Sequence, residues 1–225
     1  MDVLDLHPWD VTPKEAVAIQ KELAGRVVCE GGPGRVRRVA GVDCSVRQSE
    51  GLAIGAVVVL SYPALEVVEV AVAEAPLTFP YVPGLLSFRE VPVLREAFRQ
   101  VREPIDLLMV DGQGYAHPRR FGLACHLGLL LDVPSIGVAK SRLVGEHGPV
   151  DAARGSCAPL VHNGEAIGSV LRTRDSVSPL YVSAGQRISL RRAEQWVLRC
   201  CTRYRLPEPT RLAHQAAGGR TFDES

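Results

Sequence analysis

A chain of 225 residues with 46% hydrophobic and 23% charged residues carries enough apolar material for a full core, which excludes an unfolded, charge-swollen polypeptide. The formal net charge of +1 conceals a split: residues 1–111 hold 11 Lys/Arg against 16 Asp/Glu, and residues 112–225 hold 15 against 9. No apolar run is long enough to cross a membrane, because the longest, Leu123–Ala139, is interrupted by His126, Asp132 and Pro134.

No linker-like stretch divides the chain, so residues 1–225 are expected to form one domain. The start, MDVLDLHPWD, lacks an apolar signal core, and the expected location is the cytoplasm. Cys44 and Cys125 sit in apolar segments and read as small core residues. A zinc site through Cys125 and His126, or through Cys200 and Cys201, is disfavoured: adjacent residues seldom face one ion, and no second half-site follows.

The elements follow in order. Thr12 and Pro13 open a helix over 13–24. A GGPG loop at 31–34 precedes strands at about 36–46, 52–61 and 66–75, whose short links imply antiparallel pairing. A helical stretch spans about 84–101, with Pro92 expected to divide it in two. Strand 105–111, helix 118–131 and strand 135–140 read as a parallel crossover. Strands at 165–172 and 179–190 follow, then helix from Arg191 to Ala217 broken by Pro207 and Pro209. Three antiparallel strands followed by parallel ones, with helices on both faces, is the α/β plan of a ribonuclease H-like sheet.

Three acids oppose this burial. Asp43 lies within RVAGVDCSV, Asp111 closes DLLMVDGQG, and Glu90 ends LLSFRE. Buried carboxylates pair, protonate or bind a cation, and neither aspartate has a basic residue in its own strand. In the proposed sheet the strands of Asp43 and Asp111 are neighbours, and Glu90 reaches in from the preceding helix. Carboxylates so gathered suit a divalent metal and phosphoryl transfer, with Asp43 bridging. Lys140, at the end of its strand, is placed to meet a phosphate. His117, before Pro118, is expected at a helix N-terminus, and His126 is expected to be a hydrogen-bonded core histidine. Arg119, Arg120, Arg142, Arg187, Arg191 and Arg192 together account for the basic half and are candidates for backbone phosphates.

The motifs GVDCS (41–45), PYVPGLLSFRE (80–90), DGQGYAHPRRFGLACH (111–126), VPSIGVAKSRLVG (133–145), PLYVSAGQRISL (179–190) and RLPEPTRLAH (205–214), in this order, resemble endonuclease V, the deoxyinosine-directed repair endonucleases. The resemblance implies Mg²⁺- or Mn²⁺-dependent cleavage of the inosine-bearing strand, at the second phosphodiester 3′ to the lesion, by a monomer. It implies metal ligation by Asp43, Glu90 and Asp111, with His214 near the metal. It implies a strand-separating wedge at Pro80–Pro83, where flanking prolines stiffen the loop and Tyr81 offers a flat ring to fill a gap in the base stack. Gly84 and Leu85 would then border the pocket for the flipped base. Gly112, His117, Arg119, Lys140 and Gly185 complete the substrate-contacting set. Gln113 and Gln186 stand where relatives often carry His or Asn. The competing expectations are an endoribonuclease acting on inosine in RNA and a non-catalytic binder of damaged or branched ends. A sugar-kinase-like protein would need a glycine-rich loop after the first strand, which Ser45–Gly51 does not provide.

Overall fold

The computed structural model describes residues 1–222. Helix α1 (Pro13–Ala24) begins at a capping box: the Thr12 side chain accepts from the Glu15 N–H, and Glu15 accepts from the Thr12 N–H at 2.8 Å. Strands β1 (Arg38–Arg47), β2 (Leu52–Ser61) and β3 (Val67–Pro76) form the antiparallel meander that their short links required. Helix α2 (Leu86–Gln100) then leads to β4 (Leu107–Val110), and α3 (Leu123–Leu131) leads to β5 (Ser135–Ala139). Both β4 and β5 join in parallel, β4 beside β1 and β5 beside β4.

Beyond β5 the sheet turns antiparallel again, through β6 (Cys157–His162), β7 (Glu165–Leu171) and β8 (Leu180–Gln186). The strand order is β3-β2-β1-β4-β5-β8-β7-β6. Strand β6 had no counterpart in the sequence reading. It contains Pro159, a poor signal for a strand, and it is tolerated because β6 is the edge.

Packing follows the period of two. Val57 and Val59 of β2 face α2, while Ala56, Val58 and Leu60 face α5 (Glu208–Ala217). Val39, Leu107, Met109, Ile136 and Val138 pack with α4 (Leu190–Cys200) on the same side as α5. Helices therefore cover both faces, as expected. No helix among the described residues is long and apolar enough to cross a membrane.

Pro92 does not divide α2, which runs unbroken past it. A mid-helix proline removes one hydrogen bond, and here Phe88, Val91, Val93 and Leu94 are buried around it and hold the helix in place. Helix α3 starts at Leu123 rather than 118, leaving His117–Gly122 as loop. Pro209 does not break the C-terminal helix but lies in the first turn of α5, where a missing N–H costs nothing.

Helix α5 sits very close to β1. A Cβ at Gly41 would stand 2.0 Å from the Pro209 carbonyl oxygen. Gly41→Ala is therefore expected to cost about 1–3 kcal/mol through forced separation of α5. Urea unfolding checks this; an unchanged midpoint would contradict so close a contact.

Candidate active site

The pairing of β1 with β4 sets Val42 opposite Val110, and the Asp111 N–H donates to the Val42 carbonyl at 3.2 Å. The next residue on each strand is an aspartate. Asp43 continues the β1 face of Val39 and Gly41, the face that α4 and α5 cover. That places His214 of α5 against it: His214 Nδ1 lies 2.6 Å from Asp43 Oδ2. The other oxygen, Oδ1, accepts from the Cys44 N–H at 2.9 Å. From the end of β5, Lys140 Nζ reaches to 2.5 Å of Asp111 Oδ2. That ion pair lacks hydrogen-bond alignment, so the buried Asp111 Oδ2 has no true donor.

One ligand atom from each of Asp43, Asp111 and His214 lies within 4.8 Å of the other two, the spacing of a shared cation. Burial raises the Asp43 carboxyl above its usual range, and repulsion from Asp111 adds to this, against the His214 hydrogen bond. Glu90 stands outside that group of three. Burial, and then the charges of Asp43 and Asp111, push its carboxyl up to about 8. Two carboxylates, an imidazole, an undonated buried oxygen and an acid held near 8 suit a hard divalent ion.

Beside this edge is a pocket of about 360 Å³ whose lining includes Tyr81, Pro83, Gly84, Leu86, Gly112 and Lys140. The tip of the 80–84 loop is open, with Tyr81 71% exposed. Its base is fixed. Gly84 has φ +79°, and its carbonyl accepts from Gln20 Nε2 at 3.0 Å, His117 Nε2 at 2.9 Å and Arg119 Nη2 at 2.7 Å. Arg119 Nε also donates to Gln20 Oε1 at 2.5 Å, closing the set. Arg89 ties the same region from α2, donating to the Phe79 carbonyl at 3.1 Å.

A family model described as Endonuclease V matches residues 21–215. The chain belongs to the endonuclease V family. An endonuclease V from Gloeobacter violaceus is 53% identical over 214 residues, covering 94% of this chain and 87% of that protein. The crystal structure of endonuclease V from Streptomyces avermitilis aligns with TM-score 0.90 at 41% identity, covering 97% of this chain and 96% of that one. A Ciona intestinalis endonuclease V, in complex with a 23mer DNA containing an inosine followed by a ribo-adenosine, aligns with TM-score 0.80 at 29% identity, covering 92% of this chain and 97% of that one. As an endonuclease V, the chain is a hydrolase of phosphodiester bonds that acts in DNA repair, on a ribonuclease H-like fold.

Several residues of this endonuclease V that were expected against substrate are also bound up in the protein's own framework, and His117 among them still lines the pocket. His117 is buried in a loop rather than at a helix N-terminus; burial, then Arg119, hold its imidazole down to about 4, and its work is on the Gly84 carbonyl. Arg119 is committed to Gln20 and Gly84, and Arg120 to Glu165 at 2.8 Å, so both brace loops. Leu85 packs with Ala16, Phe79 and Phe88, and Leu86 faces the pocket instead. Gly185 is the extra residue of a β-bulge, between Ala184 opposite Ile136 and Gln186 opposite Ser135; it packs against Ser135. Gln186 accepts from the Val28 N–H at 2.8 Å. Because β8 runs antiparallel to β5, Arg187, Arg191 and Arg192 lie at the sheet edge away from Lys140, and of the six arginines only Arg142 lines the pocket. His126 is a core histidine as expected, 2.7 Å from His7.

Gln20 was missed. Its signal is a polar side chain on the apolar stripe of α1, between Ala16 and Leu23.

The Glu90 carboxyl fixes a pH signature. Between an unfolded value near 4.5 and a folded value near 8, the folded state binds the extra proton, so metal-free stability falls as pH rises through that window. Glu90→Gln is expected to flatten this decline, and added divalent ion to raise the melting temperature most at the alkaline end. Thermal melts in chelator from pH 5 to 9 read it; parallel wild-type and Glu90→Gln curves would refute it.

Proposed function

We propose that the protein nicks DNA containing deoxyinosine, at the second phosphodiester 3′ to the lesion, using Mg²⁺ or Mn²⁺ held by Asp43, Glu90, Asp111 and His214. The observation that carries this reading is the Asp43–Asp111–His214 group beside a pocket bordered by the exposed Tyr81. A divalent ion there neutralises phosphate charge and lowers the pKa of a bound water. His214 fixes the rotamer of Asp43 through its 2.6 Å contact. Lys140, already at the centre, is the residue to meet charge that grows on the phosphate. Tyr81 fills the stack when the base leaves it, and the Gly84 carbonyl, held from three sides, keeps the pocket wall in place. The working unit is a monomer, a single catalytic domain, in the cytoplasm.

Incubation with Mg²⁺ and a duplex carrying one deoxyinosine should give a single nick; none above the undamaged control would defeat the proposal. Asp43→Ala should lower the cleavage rate by at least about two orders of magnitude, because several kcal/mol of charge stabilisation is lost at tenfold per ~1.4 kcal/mol. Binding should stay within a few-fold. Tyr81→Ala should slow duplex cleavage more than single-strand cleavage, and an equal loss on both would argue against a wedge. The ribo-adenosine in the Ciona complex motivates a second reading, cleavage at inosine in RNA. Matched DNA and RNA strands, cleaved side by side, decide between them.

A further inference from the structure

Lys140 borders two depressions. One is the Tyr81 pocket; the other is an open groove of about 420 Å³ lined by Lys140, Tyr204, Arg205, Leu206, Arg211 and Gln215. Arg211 and Gln215 lie one turn apart on α5, on either side of His214 in sequence, so the groove adjoins the helix that brings His214 to the carboxylate centre, and Tyr81 is not among its lining residues. The loop before α5 reads Arg203-Tyr204-Arg205, an aromatic ring between two cations.

Apart from Lys140, none of the groove side chains has work in the reaction described above. Tyr204 is 47% exposed, and its ring partner is the Arg211 guanidinium, 4.5 Å from the ring centroid. Arg211 donates Nε and Nη2 to Glu208 Oε2 at 2.9 and 2.5 Å, and Nη1 has no partner among the described residues. Glu208 is itself buried and receives the Thr202 hydroxyl at 2.6 Å, so it fixes Arg211. Arg205 Nη2 donates to the Lys140 carbonyl at 3.4 Å, tying the groove to the end of β5. A presented ring flanked by fixed cations is the combination that holds single-stranded nucleic acid without regard to sequence.

We propose that this groove receives the substrate strand beyond the cut, on its 3′ side. Tyr204 stacks on a base there, and Arg205 and Arg211 face the phosphates. The inference rests on the nuclease reading. A strand whose lesion occupies the Tyr81 pocket must pass Asp111 and Lys140 to be cut, and the groove is the next depression along Lys140. Since the cut falls 3′ to the lesion, the segment that emerges is the 3′ arm.

The test uses fluorescent single strands with one deoxyinosine and 3′ arms of one or six nucleotides past the cut, with a matched series varying the 5′ arm. Dissociation constants are read in EDTA for wild type, Tyr204→Ala and Tyr204→Phe. The long 3′ arm should tighten wild-type binding about tenfold, within the range of one stacked base. Tyr204→Ala should erase most of that gain, Tyr204→Phe should keep it, and the 5′ series should not respond. Equal weakening on short and long arms, or a loss that follows the 5′ arm, overturns the proposal. For Arg211→Gln the salt slope on the long arm should shrink by about 0.7, one phosphate contact on a single strand; an unchanged slope removes Arg211 from the groove's function. Cleavage of the same strands by wild type with Mg²⁺ is scored separately. Arm-dependent binding without a nick defeats the nuclease reading, whereas nicking with an arm-independent Tyr204→Ala effect defeats the groove.

Discussion

Like charges forced together at one sheet edge are the constraint on which this structure turns. The parallel register of β1 and β4 brings Asp43 and Asp111 side by side, and backbone hydrogen bonding leaves no freedom to separate them. Two neighbouring carboxylates half-removed from water repel one another and lose hydration. The rest of the edge answers that cost. Helix α5 is drawn onto Gly41 and delivers His214 to Asp43, while β5 ends on Lys140 beside Asp111.

The compensation is incomplete. Glu90 gains neither an ion pair nor a hydrogen bond among the described residues, and its carboxyl is held near 8. Asp111 Oδ2 has an ionic neighbour without a hydrogen bond. A site whose internal partners stop short of full satisfaction retains affinity for an outside cation. Enzymes leave such deficits where chemistry is done, whereas a purely structural cluster would close them.

Much of this was legible from the chain. Asp43 and Asp111 betray themselves as acids inside apolar strands, and the order of strands makes those strands neighbours. Lys140 was visible as one strand-end cation. Some departures depend on which way a side chain turns, others on the surroundings of a proline. His117 and Arg119 carry the chemistry of phosphate ligands, yet the 115–122 loop folds them inward onto Gly84. Leu85 and Leu86 are equivalent as letters, and only the first turn of α2 decides which one is buried. Pro92 is a breaker in isolation, overruled by the buried residues around it. Pro159 hid an edge strand, because its tolerance depends on the absence of a neighbour.

The three-donor grip on the Gly84 carbonyl has a consequence for how damage is found. A loop fixed at its base and open at its tip does not have to order itself on contact. In the wedge role proposed for Tyr81, the ring would meet each base step from an anchored loop, and deformation would fall mainly on the duplex. A pair weakened by deamination gives way more readily than an intact one. On that proposal, part of the choice between sound and damaged DNA would be made by the mechanical strength of the base pair, before the pocket touches the base.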